Sequence, residues 1–328
     1  MGLFEPQTAR KPNLYPWTDD YIEAIWQGFW TPDEFKFISD YAQFKSDLKP
    51  EEQEVIVRTL SAIGQIEIAV KTFWANLGDH LPHPGIRDLG YAMANSEVIH
   101  NKAYEKLLEV LKMEDVFEEN LKNPIVAGRV AYLKKYLDKM YEDERKQYVY
   151  SIILFTLFVE NVSLFSQFYI ILHMNRKSGL MKDTAQQVQY TRNEELLHAQ
   201  VGIKLINTLR AEYPEMFDSD MEEMILKQCE QALVAEREVV RWILQGYSDG
   251  DSLNEDVVFE FLRGRMSDSL KQCGFSYVPM YIGALDKKLM SKAYWFDEAL
   301  HGDSMTDFFN QRPVDYAKGT AITEDDLF

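Results

Sequence analysis

The 328-residue chain predicts an all-α protein built as one bundle of long helices. Three observations carry that prediction. No run alternates apolar and polar residues cleanly and no Asn-Gly hairpin occurs, so strand signals are nearly absent. Apolar residues recur at helical spacing through most of the stretch from 50 to 272. The phrase Glu97-Val98-Ile99-His100 returns as Glu195-Leu196-Leu197-His198, each inside such a stretch. A hydrophobic content of 46%, with 13% aromatics, supplies a large core.

Taken in order, residues 1–17 carry Pro and read as extended. They contain no apolar run of signal-peptide type, and Pro6 stands where a Met-Gly myristoylation context wants Ser or Thr. Trp26 and Trp30 close the next segment. Thr31-Pro32-Asp33-Glu34 then reads as a helix start, with a Thr cap, Pro at the first helical position and Glu34 completing a capping box. Pro50-Glu51-Glu52 opens a helix running to about Gly78. After the loop at 80–85 comes the helix of Glu97 and His100, and further helical patterns cover roughly 126–143, 148–174, 183–209, 220–246 and 254–272.

The stretch 148–173 is long and apolar enough to span a bilayer. Glu160 and Asn161 at its centre argue instead for a buried helix of a large bundle, apolar on all sides. The expected helical domain is therefore 1–310. Residues 311–328 lack helical periodicity and end in an acidic-apolar run, which reads as a flexible tail docking on a partner, with Tyr316 along it. The net charge of −18 argues against nucleic acid and anionic membrane as partners. Two cysteines, Cys229 and Cys273, without CxxC spacing, fit a reducing cytoplasm and exclude a thiolate metal site.

Three of the six histidines follow a Glu by three residues: His100, His198 and His301. At that spacing a carboxylate and an imidazole share one helix face. Glu97 and Glu195 each follow an apolar helix holding a single glutamate, Glu67 and Glu160, at the separation of an antiparallel helical hairpin. Each half would then supply one Glu and one Glu-x-x-His, the donor set of a ferritin-like di-metal carboxylate site. Glu298-His301 has no such partner and reads as a cation near a helix C-terminus. Four buried carboxylates are untenable unless neutralised, and two divalent ions balance them. Oxygen-rich ligation with one His per metal suits Mn or Fe rather than structural Zn.

With these residues in view, the chain resembles the small, radical-generating (β) subunit of class I ribonucleotide reductase. The resemblance runs through FW-TPDE (29–34), SEVIHNKAY (96–104), FVENVSLF (158–165), NEELLH (193–198), FFNQRPVDYAKG (308–319) and the acidic tail. It implies Glu67, Glu97, His100, Glu160, Glu195 and His198 as metal ligands. It also implies a relay from the cluster through Trp30 and Glu194, and a tail tyrosine, Tyr316, that passes the oxidising equivalent to the catalytic α subunit. TEDDLF resembles the peptide that docks there. Tyr104, four residues after His100 and on the same face, matches the position of the family's stable tyrosyl radical.

Two positions depart from the commonest family pattern. Glu67 stands where Asp is usual, and Lys71 falls one turn later on the same face, either solvated or reaching a ligand carboxylate. The combination resembles the dimanganese subclass (class Id), which implies superoxide activation and oxidised metals, not a tyrosyl radical, as the initiator. The expectation is a homodimeric β subunit of ribonucleoside-diphosphate reductase holding two manganese ions. The alternatives are a diiron cluster with a Tyr104 radical, a mixed Mn/Fe pair in place of two manganese ions, O2 in place of superoxide as the activating oxidant, a ligand-binding oxidase or monooxygenase on the same scaffold, or an iron-storage protein.

Overall fold

The computed structural model describes residues 2–250 and 252–302, without the side chains of 65, 67–69 and 298–302. Among the described residues there are helices and turns but no strand. In chain order the helices are α1 (Trp17–Gln27), α2 (Ile38–Ser46), α3 (Pro50–Ala75), α4 (Leu77–His80), α5 (Pro84–Leu111), α6 (Glu114–Leu121) and α7 (Pro124–Leu133). After them come α8 (Glu144–Phe155), a π-helical segment (Thr156–Ser163), α9 (Phe165–Ser178), α10 (Lys182–Glu212), α11 (Ser219–Ile243), α12 (Glu255–Gln272), α13 (Met280–Gly283) and α14 (Lys287–Gly302). Met1–Ala293 forms one compact unit. Tyr294–Phe328 forms a second, whose described part is the end of α14.

The core follows from stripes of apolar residues at three- and four-residue steps. On α5 the buried run is Leu89, Met93, Glu97, His100, Tyr104, Leu107 and Leu111; on α10 it is Val188, Thr191, Glu195, His198, Gly202, Leu205 and Leu209. Polar donors thus occupy places in a stripe that otherwise reads as core. α3 lies along α5, and α10 lies along the π segment and α9, with α11 and α12 flanking the bundle. Two glycines set these approaches. A Cβ on Gly90 would sit 2.5 Å from the Trp74 carbonyl oxygen of α3, and one on Gly202 would overlap the Thr156 side chain. No larger residue fits at either place.

The long apolar stretch is interior, as its central Glu and Asn suggested. It reaches from Glu144 to Ser178, is long and apolar enough to cross a membrane, and its apolar central part is buried inside the protein nearly throughout. Three boundaries differ from the sequence reading. The capping box at Thr31 and Glu34 forms, but the helix ends after the single 3-10 turn Pro32–Glu34. Phe35 and Phe37 are both buried, and seating them straightens the chain until Phe37, in the left-handed region at φ 53°, restarts it as α2. The helix expected over 126–143 stops at Leu133, with a 3-10 turn to Leu137. Gln147 folds the following loop by accepting from the Met140 and Tyr141 amides, and Asp143 caps α8. The 148–174 helix is interrupted by the π segment.

Candidate metal centre

Three elements bring the donors together. α5 supplies Glu97 and His100, the π segment supplies Glu160, and α10 supplies Glu195 and His198, all at most 1% exposed. One ligand atom each from Glu97, Glu160, Glu195 and His198 lies within 4.8 Å of the other three. The His198 Nδ1 is 2.8 Å from Glu97 Oε1, 3.5 Å from Glu195 Oε2 and 3.7 Å from Glu160 Oε2. The His100 Nδ1 is 3.1 Å from Glu195 Oε1 and 3.2 Å from Glu97 Oε2. The two imidazole centroids are 6.2 Å apart.

The donor set fits metal ions. Glu97 Oε1, Glu160 Oε2, both Glu195 oxygens and His198 Nδ1 are buried without a hydrogen bond, although they converge on one another. Buried polar atoms are otherwise almost always paired, so convergence without pairing marks ligands aimed at a common centre. Electrostatics agree. Burial, reinforced by the Glu195 charge, pushes the Glu160 carboxyl well above the usual carboxylate range. Burial alone would lower the His198 pKa, but Glu97, Glu160 and Glu195 outweigh it and raise that pKa well above the ordinary value. Burial acts upward on Glu195 too, yet the neighbouring His100 and His198 imidazoles hold it well below the usual range. Each shift expresses the demand of clustered carboxylates for positive charge.

The outer face of His100 is fixed as well. Its Nε2 lies 2.7 Å from Glu194 Oε2, and the Trp30 Nε1–H donates to that same oxygen at 2.8 Å. A carboxylate only accepts, so a neutral His100 serving as a ligand would keep its proton on Nε2 and turn the Nδ1 lone pair inward. The Trp30 ring, 1% exposed, stacks on His100 at 6.2 Å between centroids. Lys106 anchors the segment carrying Trp30 by donating to the Pro32 carbonyl and pairing with Asp33.

Of the residues singled out from the sequence, Glu97, His100, Glu160, Glu195, His198, Trp30 and Glu194 converge, and Tyr104 is buried on the same stripe of α5. The backbone of α3 puts position 67 in register with Ile63 and Trp74, but the Glu67 side chain is outside the described residues, as are Tyr316 and the side chains of Glu298 and His301. Lys71 is half-buried, and its ammonium donates to Asn101 Oδ1 at 2.9 Å, while the Asn101 amide donates to the Glu97 carbonyl oxygen. No described carboxylate pairs with it. Sequence reasoning missed Trp74, fully buried, whose Nε1–H donates to Glu160 Oε1 at 2.9 Å. Its position seven residues after Glu67, two turns along one face, was the available signal.

A bundle whose inner stripes carry two Glu-x-x-His pairs around a further glutamate defines a ferritin-like protein with a di-metal carboxylate core. Within that class, the chain belongs to the ribonucleotide reductase small-chain family, whose model matches residues 9–281. It is 24% identical over 98% of its length to a probable ribonucleoside-diphosphate reductase small subunit of invertebrate iridescent virus 3, covering 87% of that protein. It is 21% identical over 95% of its length to the ribonucleoside-diphosphate reductase subunit beta of Treponema pallidum, covering 88% of it. Among solved structures, a putative class I ribonucleotide reductase from Bacillus halodurans superposes with a TM-score of 0.74 at 19% identity, covering 87% of this chain and 99% of that one. An R2-like ligand-binding oxidase with a reconstituted Mn/Fe cofactor superposes at 0.68 with 18% identity, covering 82% and 96%. The chain is thus a small chain of the ribonucleotide reductase family.

Proposed function

We propose that this subunit holds two manganese ions with Glu67, Glu97, His100, Glu160, Glu195 and His198. We further propose that Trp30, Glu194 and Tyr316 carry an oxidising equivalent from there to a cysteine of the α subunit. The observation that carries the reading is the unpaired convergence of buried carboxylate oxygens and the His198 Nδ1 on one centre. When bound, the metal pair supplies a one-electron oxidant. The protein's share is to define the route. Loss of an electron from Trp30 acidifies its indole N–H, and Glu194, already accepting that hydrogen bond, is placed to take the proton. His100 donates to the same carboxylate, so ring, carboxylate and imidazole form one hydrogen-bonded line. Indole and phenol side chains serve as stepping stones because both can lose one electron near neutral pH.

The Glu67 and Lys71 combination supports manganese and superoxide. Lys71 puts a cation on Asn101, next to His100, where it offsets negative charge and favours entry of an anionic oxidant. The tail, 311–328, is read as the α-subunit anchor, and the protein as a cytoplasmic homodimer; the two buried free cysteines suit a reducing compartment. Buried Tyr104 supports a second reading, a diiron cluster activated by O2 with a tyrosyl radical. A substrate oxidase has no use for a Trp30–Glu194 line or a docking tail. Metal analysis with EPR of protein from its native source decides between the metals. A multiline mixed-valent manganese signal is expected, and a narrow organic radical at Tyr104 with iron would overturn the manganese reading.

A further inference from the structure

The segment bearing Glu160 is π-helical over Thr156–Ser163, flanked by ordinary α-helix on both sides. A π turn contains one residue more than an α turn and weakens the regular backbone ladder, so it persists only where its surroundings hold it open. Here three of its carbonyl oxygens receive side-chain donors. Asn161 Nδ2 donates to the Thr156 carbonyl at 3.1 Å, Arg265 Nε donates to the Asn161 carbonyl at 2.7 Å, and Arg129 Nη2 donates to the Ser163 carbonyl.

Both arginines are themselves fixed. Arg129, on α7 and 1% exposed, also donates to the Ala62 carbonyl of α3, to Gln167 Oε1 of α9 and to Glu236 Oε1 of α11. Tyr132 joins the group by donating to Glu236 and lying 2.5 Å from Ser163 Oγ. Arg265, on α12, lays its guanidinium 3.4 Å from the Phe165 ring centroid, at the start of α9. The two arginine donors therefore arrive from α7 and α12, on elements that carry none of the metal-centre side chains, while Trp74 holds the Glu160 carboxylate from α3.

We propose that Arg265 and Arg129 are positioning residues for Glu160, donating to the Asn161 and Ser163 carbonyls to keep the wide turn open and its carboxylate aimed at the metal centre. The inference rests on the reading of Glu160 as a ligand. Collapse of the wide turn to α-helix removes one residue from it and rotates the chain by about 100°, which carries the carboxylate off the centre. The hydrogen bonds of both arginines to the π segment end on backbone carbonyls, so they act on it through the backbone.

The test uses full-length Arg265→Met, Arg265→Lys and Glu160→Gln proteins, titrated with Mn(II) and followed by the EPR signal of the free ion. Co(II) absorption and hydrogen exchange of the amides at 156–164 are read in parallel. Arg265→Met should weaken Mn(II) binding roughly ten- to a hundredfold, alter the Co(II) spectrum and speed exchange across 156–164, with partial recovery in Arg265→Lys. If Arg265→Met does not fold, Arg129→Lys replaces it. That variant keeps the charge beside Glu236 but cannot reach Ser163 and Gln167 together, and it should show the same three effects. Unchanged affinity and spectrum in the arginine variant, alongside weakened binding in Glu160→Gln, would overturn the proposal. Unchanged binding in Glu160→Gln would instead remove the ligand reading on which it stands.

Discussion

Trp74→Phe separates the metal-loaded from the metal-free protein. The indole N–H donates to Glu160 Oε1 at 2.9 Å in a place closed to solvent. Without metal, burial and Glu195 favour the neutral Glu160 carboxyl, so the lost bond is close to neutral in type, about 1 kcal/mol. With metal bound the carboxylate is charged, and the same bond contributes about 1.5–3 kcal/mol. The cavity left by the smaller ring costs about 1 kcal/mol in both states and cancels. The difference, roughly 0.5–2 kcal/mol, corresponds to about two- to thirtyfold weaker metal binding, at 1.4 kcal/mol per factor of ten. Mn(II) titration gives the affinity directly, and thermal melts with and without metal give the same difference independently. The double variant with Glu160→Gln isolates the pair, because once Glu160 is changed the Trp74 substitution should weaken binding no further. Wild-type affinity in Trp74→Phe, with an undiminished metal-induced rise in melting temperature, refutes the reasoning.

Other perturbations address the remaining parts. Trp30→Phe should reduce reductase activity with the α subunit to background while leaving metal content intact, as checked by elemental analysis; retained turnover would remove Trp30 from the route. Lys71→Met should slow superoxide-driven activation and leave Mn(II) loading unchanged, read by stopped-flow absorption. Deleting 311–328 should abolish turnover and binding to the α subunit, measured by sedimentation, without affecting metal affinity. Asp249 accepts from Lys177 and lies 3.1 Å from His173 Nε2. Burial acts upward on its pKa, but those partners outweigh it and hold the carboxyl below its usual value. A depressed carboxylate stabilises the fold above the unfolded pKa of about 3.9, and that contribution is lost as pH falls through the folded value. Urea melts of Asp249→Asn should therefore trail wild type by up to about 1 kcal/mol at pH 7 and 5, and the gap should close below about pH 3.9; a constant gap would sink the assignment.

The donors were legible in the sequence because they interrupt apolar stripes. A carboxylate at Glu97 or Glu195 between Met93 and Tyr104, or between Thr191 and Gly202, has no reason to be there in an ordinary core. The π segment was not legible, because a helix buried on every side shows no preferred face, so adding one residue to a turn leaves its pattern unchanged. Arg129 and Arg265 were hidden for a related reason. Their donors end on backbone carbonyls, and a carbonyl leaves no mark on residue identity. At Thr31 the capping signal was correct, but the burial of Phe35 and Phe37 overrode it within one turn. Tertiary packing decided that boundary.

The centre draws its donors from α5, the π segment and α10, stretches far apart along the chain. No single hairpin or early helical pair contains a complete set. A metal ion held by these donors would consequently be captured only after α5, the π segment and α10 have docked, and would act as an inspector of assembly. A chain with α10 misdocked, or with the Gly202 approach blocked, presents two or three scattered carboxylates and retains no ion tightly.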